Sequence, residues 1–142
     1  KEADVRHAYA LPPDEEVAKI GPIDPEIGIL KLEKKNGETL AVVYNFAVHP
    51  IQGVPSKGNT ADMSGFASQV IEDNLSDGTI ALFVQGCGGD INPAQYKDVD
   101  NPRDAETLGN QLGLSALKAI RKIKCTDMPR GLSHSKKNRN SC

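Results

Sequence analysis

The chain has 142 residues, enough for one domain with one core. Hydrophobic residues make up 38% and charged residues 25%, as in ordinary globular proteins, but aromatics are only 4% and Trp is absent, so the core has to come from Val, Ile, Leu and Ala. A net charge of -2 supplies no field that would draw nucleic acid or an anionic membrane, and no stretch of about 18 apolar residues is available to span a bilayer.

Residues 1–26 hold Pro12, Pro13, Pro22 and Pro25 among charged neighbours, which predicts a connecting segment with at most a short helix over Glu15–Ile20. The chain starts at Lys1, and Lys1–Asp4 leads into no apolar stretch; the expectation is a processed or excised piece of a longer protein, which leaves the compartment open. Residues 27–124 are expected to form an α/β unit. Ile27–Glu33 reads as a strand, and Asn36-Gly37 is a strong hairpin signal because both residues accept positive φ. The next strand is expected over Thr39–Val48, and its nearly continuous apolar run predicts burial on both faces.

Residues 50–61 are rich in Gly, Pro, Ser and Asn and read as a loop. A helix is expected over Ser64–Leu75, capped by Asp62 or Ser64, with Phe66, Val70, Ile71 and Leu75 on its buried face and Asp77-Gly78 ending it. Thr79–Val84 predicts a second buried strand, followed by a loop to Asp100. Asn101 as N-cap and Pro102 at the first helical position open the clearest helix, with Leu108, Leu112, Ala116, Ala119, Ile120 and Ile123 as its buried stripe. The predicted fold is α/β: a β-hairpin plus a βαβα unit on a mainly parallel or mixed sheet. Residues 125–142 carry Arg130, Lys136, Lys137 and Arg139 without an acid after Asp127, and read as a polar basic tail.

Strand order places candidate chemistry at the carboxyl ends of the two parallel strands, where α/β sheets bind ligands. His49 follows one strand and precedes Pro50, which biases it to extended backbone; at a strand end an imidazole serves as a metal ligand, a general base or a hydrogen-bonded structural group. Gln85–Pro93 follows the other, and Gly86, Gly88 and Gly89 permit a tight turn whose amides could face an anion or a developing oxyanion. No Gly-Lys-Ser/Thr follows, so it is no P-loop. Asp90 either binds a cation, orients a histidine or caps the turn. Asp62 either reaches the site or caps its helix. Cys87, in Gln85-Gly86-Cys87-Gly88-Gly89, offers an alternative nucleophile paired with His49, as in caspase-like peptidases, though Pro50 stands where those carry Gly; packing beneath the turn is the structural reading. The odd cysteine count of 3 and the absence of C-x-x-C exclude a disulfide framework and a structural zinc site of that kind; a Cys125–Cys142 bridge would only staple the tail.

Asn45-Phe46-Ala47-Val48-His49-Pro50, Ala61-Asp62-x-x-Gly65-Phe66-Ala67 and Phe83-Val84-Gln85-Gly86-x-x-Gly89-Asp90-Ile91-Asn92-Pro93 together resemble, in order and interval, the N-terminal catalytic domain of neutral (non-lysosomal) ceramidases over Asp24–Ile123. The resemblance implies hydrolysis of the amide of an N-acyl lipid by one zinc held by two His, one Glu and one Tyr. It makes His49 one of these ligands and Asp62 a substrate-binding residue. It places Asn92, Gly88, Gly89 and Asp90 around the reacting carbonyl, with zinc activating water. It also implies an extracellular or periplasmic setting. His7 does not match the block that supplies the other His, and the Glu and Tyr blocks are absent. Asn92 stands where ceramidases carry a catalytic Ser, and Asn is no nucleophile, though it can donate to an oxyanion. The expectation is therefore a fragment whose zinc site is empty or improvised and which is inactive without the remainder of its parent chain; a non-catalytic α/β module is the other alternative.

Overall fold

The computed structural model describes residues 23–52, 59–91, 93 and 105–126. They form β1 (Gly28–Glu33), β2 (Thr39–Phe46), α1 (Asp62–Asp73), β3 (Ile80–Gln85) and α2 (Ala105–Ile120). β1 pairs antiparallel with β2, and β2 pairs parallel with β3, giving a mixed three-stranded sheet in the order β1-β2-β3. This is the expected α/β arrangement. The connecting segment up to Pro22, the cap at Asn101-Pro102 and the tail beyond Thr126 lie outside the described residues.

The hairpin forms, but with a longer turn than Asn36-Gly37 alone implies. Lys34 N–H donates to Glu38 O at 2.8 Å and Gly37 N–H donates to Lys34 O at 2.9 Å. Only Gly37 takes positive φ (88°), so the loop is the three-residue kind in which a glycine closes a type I turn, and Asn36 instead accepts the Glu38 N–H at 3.1 Å.

The core lies between one sheet face and both helices. Val42, Tyr44 and Ala81 from the sheet meet Met63, Ala67 and Ile71 of α1 and Leu112, Ala116 and Ile120 of α2. Each fully buried aliphatic side chain here contributes roughly 1.5–3 kcal/mol. Tyr44 pays its polar cost locally: its hydroxyl donates to Ser64 O at 2.9 Å and lies 2.8 Å from Ser68 Oγ. Its ring packs on Phe83 at 5.3 Å.

Three expectations need correction. α1 starts two residues early, at Asp62, and its buried residues are Asp62, Met63, Ala67 and Ile71, with Phe66 and Val70 only half-buried. No side chain caps it in the usual way. Asp62 itself adopts φ 52° and takes the Met63 N–H on its own Oδ1 at 2.7 Å, a conformation Asp tolerates because its short carboxylate bonds locally. On α2, Ala119 is exposed, while Gly109, Gly113 and Leu117 are buried. The reason is the α1–α2 contact: a Cβ on Gly109 would sit 2.5 Å from Met63 O, and one on Gly113 would sit 2.8 Å from Ala67 O. Finally, the strands are not buried on both faces within this chain. Leu40, Ile80, Leu82 and Val84 are exposed because both helices pack on the opposite face.

Candidate functional site

β2 and β3 run parallel, so their carboxyl ends emerge side by side, with Asn45 opposite Val84 and Phe46 opposite Gln85. The ladder continues one step further: Gly86 N–H donates to Phe46 O at 2.9 Å. Beyond this point the two segments run closer together than side chains would allow. A Cβ on Gly86 would lie 3.0 Å from the Ala47 N and Cα, and one on Gly88 would lie 2.9 Å from Val48 N. These glycines are required for close approach of two backbones. Gln85 adds a clasp, its Nε2 donating to Val48 O at 2.9 Å and to Gly86 O at 3.2 Å.

The result is a tight bend over Gly86–Ile91 against the end of β2. Gly88 N–H donates to Gly86 O at 2.8 Å, and Ile91 N–H donates to Gly88 O at 3.1 Å. His49 is fixed there twice. Its backbone N–H donates to Ile91 O at 2.9 Å, and its Nε2 lies 3.1 Å from Gly89 O. A carbonyl only accepts, so Nε2 is the donor in this contact, and in the neutral imidazole the lone pair is then on Nδ1. The histidine ring and the glycine bend, separate in sequence, therefore meet at one sheet edge.

The remaining predicted residues are placed as follows. The Gly88 amide is already engaged by Gly86 O, whereas the Gly89 amide makes no hydrogen bond among the described residues, and open space lies where a Gly89 Cβ would be. Asp90 is exposed on the bend. Asn92 lies outside the described residues. Cys87 is an exposed free thiol, and the His49 Nε2 is directed at Gly89 O rather than at its sulfur, so the geometry does not favour the nucleophile pair. Asp62 is 4% exposed and lines a separate cleft of about 310 Å³ with Thr60, Ala61, Gly65, Phe66 and Gln69. Its backbone N–H donates to Thr60 Oγ1 at 2.9 Å.

Sequence reasoning missed Gln52. It is 1% exposed, its Nε2 donates to Pro93 O at 3.3 Å, and its buried Oε1 has no hydrogen-bond partner among the described residues. It ties the segment after His49 to the end of the bend. A glutamine in a loop carries no sequence signal for this, because the partner is a backbone carbonyl 41 positions away.

Among the described residues no group of three or more His, Cys, Asp or Glu side chains gathers as a metal site. His49 can offer one nitrogen, and the described residues do not complete a set of ligands around it, so they do not by themselves fit a catalytic zinc. No helix among them is long and apolar enough to cross a membrane.

The fold and site thus define an α/β segment with a histidine clasped to a glycine bend at the carboxyl edge of its parallel strands. Two solved structures that it resembles are ceramidases. It matches neutral ceramidase from Pseudomonas aeruginosa at 25% identity and a TM-score of 0.53, over 71% of this chain and 17% of that one. A ceramidase complexed with C2 matches at 25% identity and 0.54, over 71% of this chain and 16% of that one. The chain therefore spans about a sixth of the length of these neighbours and resembles part of a larger ceramidase chain. No family model and no curated protein matches the sequence.

Proposed function

We propose that this chain is a segment of the catalytic region of a zinc-dependent amidase that hydrolyses an N-acyl lipid, with N-acylsphingosine as the leading substrate. The observation that carries the reading is the contact between His49 Nε2 and Gly89 O at 3.1 Å, in a fold similar to that of neutral ceramidases. The clasp presents His49 Nδ1 as one metal-ligand nitrogen. The other ligands come from the remainder of the parent chain, and the zinc belongs to that complete assembly.

The chain's own groups have defined tasks in this reading. Gly86 and Gly88 bring the bend against β2, Gln85 and Gln52 hold it there, and Gly89 O fixes the imidazole tautomer. The Gly89 amide, without a hydrogen bond among the described residues, is the donor offered to developing charge on a scissile carbonyl, with Asn92 three positions further on in sequence. Asp62 lines a cleft separate from the bend, and Asp90 sits on the exposed side of the bend. An extracellular or periplasmic location accompanies the reading.

His49→Ala in the full-length parent protein tests it. Fatty-acid release from an N-acyl lipid is expected to fall by more than about 100-fold, beyond what loss of an outer-shell partner costs, with far-UV circular dichroism unchanged. Retention of activity within a few-fold of the parent refutes the assignment.

A further inference from the structure

The sheet has one face that its own helices leave bare. On this face β1 presents Leu30 and Leu32, β2 presents Ala41 and Val43, and β3 presents Ile80, Leu82 and Val84. The registers align them into cross-strand rows: Leu30–Val43–Leu82 and Leu32–Ala41–Ile80. Leu30 is 57% exposed, Ile80 55% and Leu82 52%, although parallel strands are normally covered on both faces. No charged side chain interrupts the rows.

We infer that this face is an internal packing surface, covered by an amphipathic helical layer from the longer polypeptide that contains this chain. The inference rests on the reading of the chain as part of a larger hydrolase only for the source of that layer. Three strands about 4.8 Å apart make a face roughly 14 Å wide, which helices about 10 Å across can cover, and parallel strands are normally covered by helices of their own chain. The neighbours supply the remaining chain, since this one spans 17% and 16% of theirs. The absence of basic side chains on the face gives a lipid headgroup nothing to hold.

The test is thiol labelling of Leu30→Cys in the full natural polypeptide, mapped by peptide mass and compared with Glu106→Cys on the exposed side of α2. Position 30 is expected to react at least about tenfold more slowly than position 106 at every protein concentration. Equal rates overturn the proposal. So does protection that appears only as concentration rises, which assigns the face to a second copy, or only with phosphatidylcholine vesicles, which assigns it to lipid. Val84→Cys reports the same face should Leu30→Cys fail to fold. Labelling is independent of catalysis: protection without N-acyl hydrolysis sinks the functional reading alone, and hydrolysis without protection sinks this one alone.

Discussion

Tyr44 shows how one buried polar side chain makes a pH-dependent contribution. Burial raises its pKa above the ordinary 10.0, the Ser68 hydrogen bond pulls it down, and Glu72 adds to the rise. The folded pKa exceeds the unfolded one, so the unfolded chain loses its proton first as pH rises. The stabilisation is therefore complete below pH 10 and is lost as pH climbs through the raised folded value. Chemical unfolding across the alkaline range is expected to show this decline, and Tyr44→Phe to flatten it. The Phe variant should also be less stable at neutral pH by about 1 kcal/mol, from lost hydrogen bonds to Ser64 and Ser68. An unchanged alkaline slope in Tyr44→Phe contradicts this account. Of the site residues, His49 was legible in the sequence because strand-end position and Pro50 both mark it. Gln52 was not, since its burial and its bond to Pro93 exist only after the chain returns.

At the scale of elements, the α1–α2 interface depends on two glycines that helix propensity alone disfavours. Alanine at position 109 would improve intrinsic helix propensity by about 1 kcal/mol. Its Cβ would meet Met63 O at 2.5 Å and Phe66 Cβ at 2.6 Å, however, and overpacking of this kind costs about 1–3 kcal/mol. Because a backbone carbonyl cannot swing aside as a side chain can, the clash is expected to win. Gly109→Ala should lower unfolding free energy by roughly 1 kcal/mol, and Leu114→Ala, at an exposed α2 position, should change it by less than about 0.5 kcal/mol. A stabilised Gly109→Ala protein would show that the helices can separate at little cost. The predicted α2 stripe held at Leu112, Ala116 and Ile120 and erred at Ala119 for the same reason: apolar spacing marks Ala119, but the glycine contact turns Gly109, Gly113 and Leu117 inward.

For the molecule as a whole, the packing is uneven. Val42, Tyr44, Met63, Ala67, Ile71, Ala116 and Ile120 are enclosed between sheet and helices, whereas the Lys34–Glu38 loop is exposed throughout. Native-state hydrogen exchange should therefore place the slowest amides in β2 and in the facing halves of α1 and α2, and fast exchange in the hairpin loop. Slowest exchange in β1 would contradict this order. Glu38, in that loop, has its carboxyl held below the ordinary value by Asn36 and then Lys34.

The sequence by itself determined the element types, the hairpin, the parallel β2–β3 pairing and the His49 and Gly86–Gly89 positions, because periodicity, glycine and proline act over a few residues. Only the tertiary structure decided that the imidazole closes on Gly89 O, that Asp62 lines a different cleft, and that one apolar sheet face stays open. A strand with apolar residues on both sides reads the same whichever side is covered. Which side the helices take is a property of how distant segments pack.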